Sequence, residues 1–358
     1  MLTQIDTSEL LEQLPQPVFL VKDGIVIATN HSARIRDITN GMSVSLLIAI
    51  GEAEYSEFKS GKLLLTIGTN GVLYNTVVTK SGEADMFCLE SEYSRPELRA
   101  LSLAAQSLRE PLTTAKISIE NLLPEDAIRQ SPDLLKQIQK LNKSIYQLQR
   151  AVGNMADADT LRSEYNTRLQ TYNANDVIKE IIDKANNLLQ HASRQVSFEG
   201  LSSLTFCQID REKIERAVLN LISNAAKYAT ADSPIKLSLR KSKDRLYIIV
   251  ENQGDDASAN LSGSMLFSGF LREPSIENNR SGIGLGLTIT HRIATAHKGT
   301  LLMEQLPHNV LRFTISIALK HPGDFGLNSP VLLPINDIGG IDRALIELSD
   351  VLPAELYE

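Results

Sequence analysis

Two stretches of this chain repeat apolar residues at alternating steps of three and four, and no other feature narrows the fold as much. The first carries Leu98, Leu101, Ala105, Leu108, Leu112, Ala115, Ile119 and Leu122; the second carries Leu134, Ile138, Leu141, Ile145, Leu148, Val152 and Met155. That spacing lays one narrow apolar seam along each of two helices, the pattern of helices packed side by side. Ser131, Pro132 and Asp133 supply an N-cap and an N1 proline for the second helix. The short link makes the pair an antiparallel hairpin. Two narrow seams make a poor core alone, whereas two copies make a four-helix bundle, so the hairpin predicts a homodimer.

The rest of the chain divides around this hairpin. Its 358 residues allow two or three domains at ~100–200 residues each. Residues 8–92 read as a small α+β domain. Apolar strands at 17–22 and 25–29 flank Asp23-Gly24, and strands at 62–67 and 72–79 flank Asn70-Gly71, both type I′ hairpin signals. Residues 83–90 predict a last strand, and 33–38 and 44–50 short helices. Residues 173–320 read as helix 175–192, helix 214–228, strands 235–240 and 246–251, helix 286–297, and strands 300–304 and 310–319. That order predicts an α/β sandwich, one sheet covered on one face by helices. Residues 321–358 form a tail with one short helix at 341–348 and no role legible in the sequence.

Composition excludes several classes of function. The formal net charge of −7 gives no basic field for nucleic acid or anionic lipid. Neither a helix-turn-helix nor a zinc pattern is present. Cys88 and Cys207 lie far apart in sequence and fit neither a disulfide framework nor a metal site. No apolar run reaches the ~18–20 residues of a membrane span, and residues 1–10 lack the pattern of a signal peptide. The expectation is a cytoplasmic protein.

Chemistry concentrates in two segments. In Ser281-Gly282-Ile283-Gly284-Leu285-Gly286-Leu287, three alternating glycines precede an apolar helix. Glycine lets backbone amides approach an anion closely, and a helix N-terminus adds unpaired N–H groups and partial positive charge. The spacing is neither the dinucleotide fingerprint nor the P-loop. Alone it is equally a flexible turn. In the second segment, Asn220, Asn224 and Lys227 fall on one helical face, with Tyr228 beside them. An asparagine oxygen is a neutral hard ligand suited to Mg²⁺ that also holds substrate phosphates, and lysine offers those phosphates a point charge. The alternative is a solvated polar face.

The two segments together resemble the N box and G2 box of histidine-kinase ATPase domains, the GHKL type. Leu266-Phe267-Ser268-Gly269-Phe270-Leu271-Arg272 resembles the F box of the family's ATP lid, and Ala296-His297-Lys298-Gly299 the segment after the G2 helix. The resemblance implies ATP and Mg²⁺ as cofactors and Asn224 as the metal ligand. It places Asn220, Lys227, Tyr228 and Arg272 near the nucleotide, and Gly282, Gly284, Gly286 and Leu287 at the lid hinge and phosphates. The G1 box departs from the family's Asp-x-Gly-x-Gly. Here Asn252 and Gly254 are followed by Asp256. Asn252 keeps a carbonyl acceptor for the adenine amino group but has no charge. Asn220 stands where related ATP-hydrolysing enzymes carry a glutamate base, and an amide cannot act as one.

Residues 106–112 of the first helix resemble the family's H box, His-Glu-Leu-Arg-Thr-Pro-Leu, and keep Leu108, Arg109, Pro111 and Leu112. The phosphoacceptor histidine is Gln106, the acidic residue after it is Ser107, and the next polar position is Glu110. The seam puts Ala105 and Leu108 inside and Gln106 on the outer surface. Residues 11–30 resemble a PAS sensor domain.

The expected architecture is therefore an α+β multidomain chain. A PAS-like domain spans 1–92, a dimerisation hairpin 93–160, an ATP-binding α/β sandwich 161–320, and the tail 321–358. The function implied is that of a sensor histidine kinase degenerate in autophosphorylation, with Lys227 and Arg272 as catalytic cations. A response regulator or second kinase is the expected partner. The alternatives are a non-enzymatic, ATP-gated dimeric pseudokinase scaffold and a GHKL-type protein serine kinase.

Overall fold

The computed structural model describes residues 7–89, 95–122, 131–160, 167–230, 233–254, 285–319 and 342–357. Asp256, the lid segment 266–272 with Arg272, Gly282 and Gly284 lie outside these residues.

The first domain comprises α1 (Thr7–Glu12), β1 (Val18–Lys22), β2 (Ile25–Thr29), α2 (His31–Arg34), β3 (Ile48–Ile50), α3 (Glu52–Glu57), β4 (Lys62–Thr69), β5 (Val72–Ser81) and β6 (Ala84–Leu89). Both expected hairpin turns form. Asp23 and Gly24 have φ of 52° and 77°, and Asn70 and Gly71 have 52° and 73°. Positive φ at both central residues defines type I′ and explains the Asp-Gly and Asn-Gly pairs. The helix expected at 44–50 is corrected: only Val44–Leu46 turns, as a 3₁₀ segment, and β3 follows. Ile48 and Ile50 pair with Ile67 and Thr66 of β4, where β-branched side chains pack better than in a helix. The helix expected at 33–38 begins earlier. Asn30 caps it, its Oδ1 accepting from the Ala33 amide at 2.9 Å.

The seams become α4 (Arg95–Leu122) and α5 (Pro132–Thr160), packed as an antiparallel pair. Ala105, Val152 and Ala156 are buried between them, with Leu112 and Met155 alongside. Leu108, which the seam puts inside a bundle of two copies, is not covered by the single hairpin. It is 46% exposed, and Leu141 and Leu148 are 47% and 50% exposed. Two helices cover only the half of each seam that faces the neighbouring helix.

The third unit contains β7 (Gln170–Asn173), α6 (Ala174–Leu189), β8 (Val196–Glu199), β9 (Phe206–Ile209), α7 (Arg211–Tyr228), β10 (Ile235–Ser242) and β11 (Arg245–Gln253), then α8 (Leu285–Ala296), β12 (Leu301–Leu306) and β13 (Val310–Ala318). Its sheet runs β12-β13-β11-β10-β8. Ile181 of α6, Ile214 and Leu221 of α7, and Ile289 and Ile293 of α8 share one core with Leu237, Ile248, Val250 and Ile315 of the strands. This is the expected sandwich.

The two sheets are joined, which the sequence reading did not foresee. Leu64, Leu63 and Lys62 of β4 pair antiparallel with Leu301, Leu302 and Met303 of β12, making one sheet of 11 strands. Leu63 and Leu65 belong to the core of the first domain, whereas Leu64 belongs to the core of the third. Three successive leucines thus serve two cores, because alternate strand residues face opposite sides. Beside the ladder, Ser316 Oγ donates to the buried Glu54 carboxylate at 2.6 Å, and Arg245 Nε lies 3.4 Å from it.

Residues 342–357 add α9 (Arg343–Glu347), capped by Asp342, whose Oδ1 accepts from the Ala344 amide at 2.9 Å. Ala344, Leu348, Leu352 and Tyr357 are buried in the third unit's core. No helix among the described residues is long and apolar enough to cross a membrane.

Candidate nucleotide-binding site

The site is built on the last two turns of α7 and what they touch. Asp210 caps the helix, its Oδ1 accepting from the Lys213 amide at 3.2 Å. The Asp210 N–H in turn donates to His297 Nε2 at 3.0 Å. His297 Nδ1 lies 2.7 Å from the Ile293 carbonyl, so it carries the proton. The start of α7 and the end of α8 are tied by one neutral imidazole.

At the other end, the chain leaving α7 joins the sheet. Ala229 bridges Gly254, and the Thr230 N–H donates to the Gln253 carbonyl at 3.0 Å. Arg194 holds this exit by donating to the Ala229 and Thr230 carbonyls. Asn252 and Gly254, at the end of β11, are therefore brought beside Lys227 and Tyr228, at the end of α7.

Asn220 is 4% exposed. Its Nδ2 donates to Thr290 Oγ1 at 2.9 Å, and its Oδ1 accepts from Arg150 Nη2 at 3.1 Å. Thr290 donates onward to the Gly286 carbonyl at 2.9 Å. Gly286 is required by this contact: a Cβ there would stand 2.6 Å from Asn220 Oδ1. The glycine segment and the asparagine helix thus meet at Gly286, and Leu287 is buried behind it.

Asn224, one turn beyond Asn220, is half-buried, as are Lys227 and Tyr228. The Lys227 ammonium lies 6.0 Å from the Tyr228 ring centroid and 3.9 Å from Asp350 Oδ2. Asn252 is 2% exposed, and neither of its amide atoms meets a hydrogen-bond partner among the described residues. An orphaned buried amide costs ~1–3 kcal/mol, which a ligand with matching groups would remove. Among the described residues no group of three His, Cys, Asp or Glu is placed to hold a metal.

Gln106 is exposed on α4, where the seam puts it. Ser107 Oγ donates to the Ala104 carbonyl at 2.8 Å and Thr113 Oγ1 to the Arg109 carbonyl at 3.0 Å. These neighbouring hydroxyls are bonded to their own helix. The residues that the sequence reading missed are Arg150, Thr290 and Asp350. Thr290 alone had a local signal, standing one helical turn after Gly286. Arg150 and Asp350 are distant in sequence from everything they touch.

Two buried imidazoles give the site's scaffold a pH dependence. Burial pushes His291 down to about 3, and its ring nitrogens have no hydrogen-bond partner among the described residues. Burial also lowers His297. His291 stays neutral in the folded protein, whereas an unfolded histidine protonates near ~6.5. Its contribution to stability is therefore level above about pH 7 and falls as pH drops below ~6.5, by up to ~1.4 kcal/mol per unit, and the lowered His297 acts in the same direction. Unfolding free energies from urea titrations at pH 7.5 and 5.0 should differ by ~2 kcal/mol on account of His291, and His291→Leu should remove that share.

Residues 209–321 match the family of histidine kinase-, DNA gyrase B- and HSP90-like ATPases, and that segment is an ATPase domain of this kind. Across a longer span the chain is similar to sensor kinases. It is 25% identical over 240 residues to histidine kinase P4 of Formosa agariphila, covering 65% of this chain and 17% of that protein. It is 26% identical over 219 residues to the adaptive-response sensory kinase SasA of Crocosphaera subtropica, covering 58% of this chain and 56% of that protein. The chain thus spans a sixth to just over half of the length of these relatives. A structure of histidine kinase ThkA in complex with response regulator protein TrrA aligns over 87% of this chain and 98% of that one, at 18% identity and TM-score 0.41.

Proposed function

We propose that this chain is a sensor-histidine-kinase homologue whose third unit binds ATP with Mg²⁺ and whose own phosphoacceptor is lost. The observation that carries the reading is the union of Asn220 with Gly286, beside the orphaned amide of Asn252. The close approach of Gly286 to Asn220 brings the glycine segment onto the asparagine helix, and the unsatisfied buried amide of Asn252 fits a nucleotide. In this reading Asn252 meets the base, and Lys227 and the α8 N-terminus meet the phosphates. Asn224 holds the Mg²⁺, which neutralises phosphate charge when bound. Arg272, Gly282 and Gly284 would complete the lid side.

Asn220 supports transfer or binding over direct hydrolysis. Its amide is engaged by Thr290 and Arg150, and an amide is no general base. The exposed Gln106 supports loss of autophosphorylation, since a carboxamide cannot carry phosphate as an imidazole does. The half-exposed Leu108, Leu141 and Leu148 support a homodimer through α4 and α5, with 1–92 as a PAS-like sensor unit. The expected setting is the cytoplasm, with a response regulator or second kinase as partner.

The second reading is an ATP-gated scaffold without phosphotransfer, favoured by the self-bonded hydroxyls around Gln106. A third, a protein serine kinase on the same ATPase domain, rests on the intact asparagine helix and glycine segment, with no substrate signal beside them. Calorimetry of Mg-ATP binding to the natural chain and to Asn224→Ala tests the nucleotide site. The expected result is Mg²⁺-dependent binding weakened about tenfold or more in the variant, equivalent to ~1.4 kcal/mol. No binding up to millimolar ATP would overturn all three readings. Label transfer from γ-labelled ATP to a partner protein then separates the kinase readings from the scaffold.

A further inference from the structure

The segment 342–357 lies across the junction of two units. Its aromatic end is anchored on the hairpin. Tyr357, 2% exposed, meets the Tyr146 ring of α5 edge-on at 4.9 Å, and its carbonyl accepts from Asn142 Nδ2 at 3.3 Å. Gln147 Nε2, one turn along α5, donates to the Ser349 carbonyl at 3.4 Å. The other end is anchored on α7, where Arg343 Nη1 donates to the Glu212 carbonyl at 2.9 Å.

Between these anchors stand two carboxylates and three cations. Glu347, 5% exposed, lies 3.3 Å from Arg150 Nε of α5 and 3.2 Å from Arg216 Nε of α7. Asp350 lies 2.8 Å from Arg150 Nη1 and 3.9 Å from Lys227 Nζ. Arg150 also donates to Asn220. One guanidinium of the hairpin therefore touches the asparagine helix and both carboxylates of the segment. Such pairs hold firmly only while every charge keeps its partner.

We propose that residues 342–357 are a latch in cis. Docked, they clamp α5 against the ATPase domain and set Asp350 against Lys227, a cation that nucleotide phosphates would also draw on. The inference rests on the nucleotide-binding reading above. A phosphate chain and the Asp350 carboxylate carry like charge and compete for one lysine, so the docked segment and Mg-ATP disfavour each other. The coupling is reciprocal: whatever factor the segment takes from ATP affinity, ATP takes from docking of the segment. If the open state is a minor fraction of the protein, apparent ATP affinity is lowered by that fraction. Release would free both the cation and the orientation of the ATPase domain on the hairpin.

The test uses the full chain and two variants, Asp350→Asn, which removes only the charge, and Tyr357→Ala, which removes the anchor. Mg-ATP affinity is measured by calorimetry, and hydrogen exchange of 342–357 is followed with and without saturating Mg-ATP. The expected result is roughly tenfold tighter Mg-ATP binding in both variants, with faster exchange of 342–357 in the natural chain when Mg-ATP is added. Equal affinity in all three proteins, with exchange unmoved by Mg-ATP, would overturn the latch and leave the nucleotide site standing. Binding to none of the three would overturn both. Should Tyr357→Ala fold poorly, Asp350→Asn, at a partly exposed position, still decides the competition.

Discussion

Gly299→Ala is expected to unfold the ATPase half of the molecule. A Cβ at this position would lie 1.8 Å from the carbonyl oxygen of Ser316 and 3.1 Å from its Oγ. Backbone meets backbone here, so no side chain can rotate away. Neither segment is free to shift. The Gly299 N–H donates to the Ala294 carbonyl at 2.8 Å, and the Ser316 N–H donates to the Thr300 carbonyl at 3.0 Å. Overpacking against adjustable side chains costs ~1–3 kcal/mol, and an unyielding backbone clash should exceed ~4 kcal/mol. The urea midpoint of the variant measures this. A loss below ~1 kcal/mol would mean that the end of α8 sits farther from β13 than described.

Gly61→Ala is expected to separate the first domain from the ATPase domain while leaving each folded. Gly61 has φ of +89°, and a Cβ there would stand 2.1 Å from the Met303 carbonyl oxygen on β12. Gly41 has the same φ of +89° with nothing within 4 Å. Gly41→Ala therefore carries backbone strain alone, ~1–2 kcal/mol, and serves as the control. At Gly61 the strain is joined by a clash with the strand that completes the shared sheet. The two cores are separate clusters, so each should survive the loss of the ladder. Calorimetry should resolve two transitions in Gly61→Ala where the natural chain and Gly41→Ala give one. Amides of 62–64 facing β12 should exchange faster, while those between β4 and β5 keep their protection. A single transition at an unchanged temperature would count against the junction.

What was legible in the sequence was local. Asp23-Gly24 and Asn70-Gly71 announce their turns because the conformation each pair adopts is written in the pair. The helix of Asn220, Asn224 and Lys227 shows one face through spacing alone. Its junction with Gly286 could be expected only through the family resemblance, because Asn220 and Gly286 are brought together by tertiary packing. Leu63-Leu64-Leu65 held a clue that went unread: three apolar residues in a row on a strand imply burial on both faces. The 44–50 segment misled because a short apolar run fits helix or strand equally well. In segment 342–357 the sequence shows a short helix at 341–348, where α9 spans Arg343–Glu347, but not its role, since that lies in Arg150, Arg216 and Tyr146, none of them near it in the chain. Leu108 stands uncovered in the single hairpin because a heptad seam reports which residues seek cover, not which helix provides it.

The shared sheet has a consequence for how the chain comes into being. During synthesis the first domain can fold as soon as β6 has emerged, yet Lys62, Leu63 and Leu64, paired with β5 on one edge, have no partner on the other until Met303 is made. At ~5–20 residues per second that interval is on the order of tens of seconds. Throughout it, β4 presents an open edge with Leu64 uncovered, the kind of surface on which nascent chains stick to one another. The positive charge of Lys62 at the start of that edge is the sort of residue that discourages such pairing. Assembly of the two halves is thus the closing of a gap that translation itself holds open.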